Sequence, residues 1–204
     1  MQKIDIKNKD IINLLDNFSN WFTILDKSKI KISGKQDKKD YYTREEYFKT
    51  INQENHIGFP EIAHGVDLAK AESTSIDLRD RIRKIDEEFN NVLSAKTCAV
   101  KMYYPKGGYM GWHNNHNASG YNILFSYTKN GKGYFKYKKP TTLESVTMND
   151  SPGWTAKVGY FGSLKEKDKL YWHCARAYED RLTLGFVIPD KNFWGMMIED
   201  IESE

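Results

Sequence analysis

The chain has 204 residues, the length of one domain or of one domain with an added segment. Aromatic residues make up 14% and charged residues 29% of it, a mix that excludes wholesale disorder. The net charge of +3 does not by itself indicate nucleic-acid binding, although it allows a local basic patch. Two cysteines exclude a disulfide scaffold, and no apolar run approaches the roughly 18 residues of a membrane span. Because the N-terminal segment also lacks the apolar core of a signal peptide, we expect a cytoplasmic protein.

Helical periodicity dominates the first part of the chain. Apolar residues recur at offsets of three and four from Asp10 to Leu25, which predicts an amphipathic helix. Thr43 precedes Glu46 by the spacing of a capping box and predicts the start of a second helix. A longer helix is predicted from Asp77 to Leu93. We therefore expect a helical support region over residues 1–95.

From about residue 96 the pattern changes to short β-rich segments separated by Gly, Asn and Pro. The predicted strands are Thr97–Tyr104, Tyr121–Tyr127, Gly133–Tyr137, Leu143–Thr147, Trp154–Phe161, Leu170–His173 and Leu182–Ile188. The Asn-Gly pair within Lys129–Gly133 predicts a tight hairpin. Strands this short and numerous predict a sandwich, jelly roll or small barrel over residues 96–204, which makes the fold class α+β.

Three histidines lie in this β-rich part, at positions 113, 116 and 173. Side chains two residues apart share a face of an extended segment, so His113 and Asn115 point the same way and His116 does not. The surrounding segment is too rich in Gly and Asn to form a helix. A metal site with two histidines on one helix is therefore not expected here.

An arginine opens the last predicted strand on a face that is otherwise polar or small. If Arg181 points into a barrel, it needs an anion, because an unpaired buried charge is costly. A carboxylate suits the fork of a guanidinium, and Thr183 would add a hydroxyl beside it. The alternative is an ion pair at the strand edge with Glu179 or Asp180.

The order of these groups resembles that of the 2-oxoglutarate- and iron(II)-dependent oxygenases. That family has H-x-D/E, then a distal His, then an Arg followed two residues later by Ser or Thr. The corresponding residues here are His113, Asn115, His173, Arg181 and Thr183. The Tyr-rich and Gly-rich context before His113, and the segment WTAKVGYFG before His173, are similar to the prolyl-hydroxylase-like branch. The resemblance covers roughly residues 96–190.

The resemblance implies a double-stranded β-helix, or jelly roll, with the N-terminal helices packed on it. The residues it assigns to Fe(II) are His113, Asn115 and His173. The cosubstrate 2-oxoglutarate would chelate the metal and place its far carboxylate in a second group of residues. That group comprises Arg181, Thr183, Tyr104 and Asn122. With O2, such a site converts 2-oxoglutarate to succinate and CO2 and oxidises a substrate, usually by hydroxylation.

The chain departs from the family at the carboxylate position, which Asn115 occupies. Four interpretations follow: Asn115 binds iron through its amide oxygen, Asp150 replaces it, an exogenous anion fills the position, or the site has lost its chemistry. The third is the situation in the related halogenases, where Ala or Gly stands at this position. His116 and Ala118 also match that H-x-A spelling, although Trp112-His113 fits the family context better.

The sequence does not specify the substrate, for which a polypeptide side chain, a nucleobase and a small molecule are the candidates. One rival function is a non-catalytic jelly-roll binding protein, and another is a 2-oxoglutarate-dependent halogenase. A third is a nucleic-acid-binding barrel that uses Lys136, Lys138 and Lys139, which alternate with aromatic residues.

Overall fold

A computed structural model describes residues 1–37, 39–70, 76–93, 97–188 and 190–204. The helices are α1 (Lys9–Ile24), α2 (Glu45–Phe48), α3 (Ile76–Leu93) and α4 (Lys191–Glu202). The strands are β1 (Gln2–Ile4), β2 (Ser33–Gly34), β3 (Ala63–Asp67), β4 (Thr97–Tyr104), β5 (Tyr109–His113), β6 (Gly120–Thr128), β7 (Gly133–Lys138), β8 (Ser145–Asn149), β9 (Gly153–Phe161), β10 (His173–Ala177) and β11 (Arg181–Ile188). No described helix is long and apolar enough to cross a membrane.

The strands form two facing antiparallel layers that β3 joins along one side. The first sheet has the order β1-β9-β6-β11-β4, and the second sheet has the order β5-β10-β7-β8. Val66 and Asp67 of β3 pair with β4, whereas Ala63 and His64 of the same strand pair with β5. The resulting structure is a nearly closed antiparallel barrel with a few helices, consistent with the expected α+β jelly roll.

The outer face of the first sheet carries the main apolar core. Helices α1 and α3 pack on it, with Phe89 lying 5.5 Å from Phe186 and Phe22 lying 5.0 Å from Tyr103 between ring centroids. Both helices were predicted from their apolar periodicity, and both predictions are confirmed. Since side chains alternate along a strand, burying one face of β11 under helices turns Arg181 to the barrel interior.

The predicted capping box at Thr43 is wrong. Helix α2 begins at Glu45, and Thr43 lies in the 3₁₀ turn before it. The Thr43 hydroxyl is fully buried, donates to the carbonyl of Asp40 at 3.1 Å and bonds the Tyr134 hydroxyl at 2.8 Å. A tertiary contact therefore takes the hydroxyl that the local motif would have used.

The predicted hairpin at Lys129–Gly133 is also wrong. The strands on either side of it, β6 and β7, belong to different sheets, so the segment crosses from one layer to the other. The Glu179 carboxylate holds this crossing by accepting bonds from the backbone of Asn130 and Lys132 at 2.8 and 2.9 Å. The predicted strand Leu170–His173 is displaced as well, since β10 begins at His173.

Two of the lysines proposed for nucleic-acid binding, Lys136 and Lys138, lie on the outer face of the second sheet, beneath the segment around α2, whereas Lys139 is exposed and pairs with Glu144 at 2.6 Å. Lys138 is buried, pairs with Glu45 and lies 5.0 Å from the centroid of the Phe48 ring. Lys136 donates to the Thr43 carbonyl at 3.3 Å. Lys138 therefore holds α2 on the sheet, and its buried ammonium group is not available to bind a phosphate backbone.

Candidate active site

One cavity of about 560 Å³ runs between the two sheets. Two groups of polar side chains line it, separated along β10. The histidine end consists of His113, Asn115 and His173. The arginine end consists of Arg181, Thr183, Ser126 and Tyr104. His173 begins β10, whereas Gly133, which pairs with the last residue of that strand, lies against Arg181.

The two predicted histidines are direct neighbours across a strand pair. His113 ends β5 and pairs with His173 at the start of β10, with 4.1 Å between ring centroids. Each Nδ1 lies 2.8 Å from a backbone carbonyl two residues earlier in the chain, that of Gly111 or of Tyr171. A carbonyl only accepts, so each Nδ1 carries the proton and each Nε2 keeps its lone pair. This tautomer is the one that presents Nε2 to a metal ion.

Burial keeps both imidazoles neutral. It lowers the pKa of His113 well below its ordinary value, and the neighbouring His173 lowers it further. Burial also lowers the pKa of His173 to about 4. The Phe161 ring stacks on His173 at 4.7 Å between centroids and covers it from water. Metal binding requires a neutral imidazole, so both residues are ready to coordinate at neutral pH.

Asn115 completes the histidine end as a third neutral group. Its Nδ2 lies 3.3 Å from Nε2 of His173, and its backbone is left-handed with φ of +53°, a region that Asn tolerates. The backbone N–H of Asn115 donates to the carbonyl of Gly58 at 2.8 Å, which ties this residue to the loop before β3. Among the described residues, no group of three or more His, Cys, Asp or Glu side chains is placed to hold a metal.

Asp150, the alternative iron ligand, is bound at the other end of the cavity. One carboxylate oxygen accepts from Lys157 Nζ at 2.9 Å, and the other accepts from Arg181 Nε at 2.8 Å. The alternative edge pairing of Arg181 with Glu179 or Asp180 is not formed, because the guanidinium binds Asp150 instead. Glu179 binds the crossing described above, and Asp180 lies 3.7 Å from Lys27.

The arginine end is a buried network with a net positive charge. Arg181 also donates through Nη1 to the Thr183 hydroxyl and through Nη2 to the Ser126 hydroxyl, the latter at 2.9 Å. A guanidinium has five N–H donors, so two remain beyond these three bonds. Arg181 and Lys157 are cations and Asp150 is an anion, so the network carries one excess positive charge. A ligand carboxylate carries one negative charge and accepts two N–H bonds, so it matches both the excess charge and the two remaining donors of Arg181.

Burial and charge set the protonation of this network. Burial alone would raise the pKa of Asp150, but Arg181 and Lys157 hold it at about 2. Burial lowers the pKa of Lys157 to about 8, against the opposing effect of Asp150. Asp150 is therefore negatively charged at neutral pH. Lys157 is positively charged there and loses its proton as the pH rises through about 8.

The remaining predicted residues also line the cavity. The Tyr104 ring centroid is 5.6 Å from the guanidinium carbon of Arg181, and burial raises the pKa of this phenol to about 12. Asn122 donates through Nδ2 to the Gly120 carbonyl at 2.8 Å, so its amide is partly held by its own strand. The structure thus brings all seven predicted site residues to one cavity.

Sequence reasoning did not assign roles to Ser126 and Lys157. Ser126 follows Asn122 at an even spacing along β6, so strand alternation alone places both on the same face. Lys157 is fully buried between Ala156 and Val158 in an apolar strand. A charge inside such a run is a detectable signal, because a buried lysine requires a partner.

The rim of the cavity includes the loop before β3. Phe59 and Pro60 line the opening, and Phe59 is 56% exposed. Gly58 has φ of +91°, and a Cβ placed on it would lie 2.2 Å from Oδ1 of Asn117. The positive φ is what favours glycine at this position, and the short approach to Asn117 shows that the loop packs closely against the turn that carries Asn115.

No family model matches the chain, and no curated protein matches it. A prolyl-4-hydroxylase from Pseudomonas putida is similar in structure with a TM-score of 0.44 and 12% identity, covering 92% of this chain and 90% of that one. A predicted oxalate decarboxylase from Thermotoga maritima has a TM-score of 0.30 and 14% identity, covering 81% of this chain and 97% of that one. Scores this low assign neither a fold nor an activity.

Proposed function

We propose that this protein is an Fe(II)- and 2-oxoglutarate-dependent dioxygenase that acts as a hydroxylase. One observation carries the proposal: a pair of neutral, oriented imidazoles and a buried arginine with unused donors line the same cavity. Neither the imidazole pair nor the buried arginine is by itself specific for this function. Together they provide a metal-binding group and a carboxylate-binding group in one site.

The donor set fits Fe(II). His113 and His173 offer two imidazole nitrogens, and Asn115 offers an amide oxygen beside them once its side chain turns. Imidazole and oxygen donors with positions left open suit non-haem Fe(II). When bound, the metal supplies activation of O2, and the protein positions the reactants and keeps the site dry.

Each of the residues at the site then has a defined role. The carbonyls of Gly111 and Tyr171 hold the imidazole protons on Nδ1, so the histidines stay oriented. Arg181 binds the far carboxylate of 2-oxoglutarate, and Thr183 and Ser126 hold the guanidinium in place. These contacts exist before any ligand arrives, which reduces the entropy cost of binding.

Beyond the polar ends, most of the cavity lining is apolar, although Asp67, Lys70 and Lys101 also line it. Its walls include Met102, Met110, Leu124 and Val187. Such walls exclude water and suit a substrate that presents a C–H group to the metal, whether on a polypeptide, a nucleobase or a small molecule. The substrate itself is left open in this proposal.

Anaerobic titration with Fe(II) and then with 2-oxoglutarate tests the proposal through the visible charge-transfer band of the chelate. We expect the band in the wild-type protein and its loss in Arg181→Met. Arg176→Met is the matched control, because Arg176 is also buried and ion-paired but lies outside this cavity, 2.7 Å from Asp40. The control should keep the band.

Two results would overturn the proposal. One is binding of 2-oxoglutarate by a protein that binds no iron either with or without 2-oxoglutarate, which would indicate a non-catalytic binding protein. The other is the absence of both the band and succinate formation in a protein that is folded by circular dichroism.

A further inference from the structure

The histidine end lacks a negative charge. Its three groups are two neutral imidazoles and an amide. Among the described residues that line the cavity, Asp67 is the only carboxylate, and Lys70 and Lys101 line it too, so the lining has no excess of negative charge. A divalent cation bound there would keep its whole charge of +2 in a buried site.

The arginine end adds a positive charge to the same cavity. The charge of Asp150 is already balanced by Lys157, so Arg181 supplies one uncompensated positive charge. Arg181 and Lys157 are 2% and 0% exposed, which limits screening by water and salt. Two like charges repel strongly when little water separates them. A cation at the histidine end and the excess charge at the arginine end therefore oppose each other.

We infer that Asn115 makes iron and 2-oxoglutarate bind interdependently, so that the metal is held firmly only when the dianion is present. This inference rests on the proposed function. The dianion places one carboxylate at each end of the cavity and compensates both positive centres. Coupling between two ligands is reciprocal, so each ligand must raise the affinity for the other by the same factor.

The side chain at position 115 offers a clean test, because Asp and Asn have nearly the same shape. Aspartate also tolerates the left-handed backbone that Asn115 adopts with φ of +53°. Asn115→Asp thus adds a charge at the histidine end and leaves the packing unchanged. The metal would then have a fixed anion before the cosubstrate arrives.

The experiment measures the dissociation constant of Mn(II), a redox-stable probe for Fe(II), with and without saturating 2-oxoglutarate. In the wild-type protein we expect 2-oxoglutarate to tighten Mn(II) binding by about 100-fold, near the upper end of measured couplings. In Asn115→Asp we expect tight binding of Mn(II) alone and a coupling of about fivefold or less. The reverse titration, 2-oxoglutarate with and without Mn(II), should return the same factors.

Two further variants separate charge from other effects. Asn115→Gly removes the amide, suits the left-handed backbone and adds no charge, so its coupling should stay near that of the wild type. Asn117→Asp adds a charge two residues away at an exposed position and should also leave the coupling unchanged.

The possible failures are distinguishable. If Mn(II) and 2-oxoglutarate bind neither alone nor together, the proposed function fails and this inference fails with it. If wild type and Asn115→Asp show the same coupling factor, only the inference is overturned, because the metal and the cosubstrate still share the site.

Discussion

The two ends of the cavity are built on different principles. At the arginine end, Asp150 has a cationic partner for each oxygen, and the guanidinium is held by two hydroxyls. At the histidine end, backbone carbonyls fix the orientation of the imidazoles, but none of the described side chains there carries a charge. The arginine end is therefore arranged in both geometry and charge in the protein alone, whereas the histidine end is arranged only in the orientation of its two imidazoles. Geometric and electrostatic preorganisation can be separated within one site.

Removing a histidine should have the largest effect. His173→Ala takes away one of two imidazole donors, and we expect it to abolish the stoichiometric iron binding of the wild type, measured by metal analysis after anaerobic dialysis in the presence of 2-oxoglutarate. His116→Ala is the matched control, because His116 Nδ1 is bonded to Asn114 at 2.9 Å and has no place in the proposed metal set. Loss of iron in the control would favour the alternative alignment through His116.

Removing the central anion should be the next largest effect, and it acts on stability. Asp150→Asn leaves Lys157 and Arg181 buried without their counter-charge, so we expect the free energy of unfolding to fall by about 3–5 kcal/mol. Urea unfolding monitored by fluorescence measures it. Asp180→Asn, in an exposed pair 49% open to solvent on the carboxylate side, should cost less than about 1 kcal/mol. Equal losses of unfolding free energy in the two variants would show that the buried network contributes no more to stability than an exposed ion pair does.

Removing the second cation should have a moderate effect on one ligand only. Lys157→Met cancels the excess positive charge without touching the ligand, so 2-oxoglutarate affinity should fall about tenfold, a change of about 1.4 kcal/mol, with Mn(II) binding alone not weakened. Calorimetry measures both. Lys138→Met, which removes another buried and paired lysine outside the cavity, should change neither. An unchanged 2-oxoglutarate affinity in Lys157→Met would argue against a charge-based anion site.

Raising the pH should have the smallest effect. It should weaken 2-oxoglutarate binding, as Lys157→Met does. Burial lowers the pKa of Lys157 to about 8, and its protonated form favours an anion in the cavity. The affinity for 2-oxoglutarate should therefore be full below pH 8 and fall severalfold as pH rises through about 8. The decline should vanish in Lys157→Met. A decline that persists in the variant would come from another group.

The elements that sequence predicted well are those whose pattern is set by burial. The periodicity of α1 and α3 reflects the apolar face that each helix packs on the first sheet, and alternation along β11 placed Arg181 inside the barrel. The family pattern then brought His113 and His173 together, which no local rule could have done.

The errors share one cause, which is that local signals do not specify tertiary partners. The Asn-Gly turn at Lys129–Gly133 has the composition of a hairpin, yet the following strand pairs in the other sheet. Asp150 follows the edge strand β8, and nothing near it in the chain indicates that it meets Arg181. Such pairings depend on how the two layers close, and a single sequence carries little information about that.

The register that sets His113 against His173 also has a kinetic consequence. Strands β5 and β10 are far apart in the chain, as are β1 and β9 or β4 and β11, and folds dominated by such pairings form slowly. The proposed metal site is assembled only after the barrel has closed, so its interactions form late on the folding route. Bound metal and cosubstrate should then slow unfolding and leave the folding rate almost unchanged, which makes their occupancy a determinant of the lifetime of the native protein.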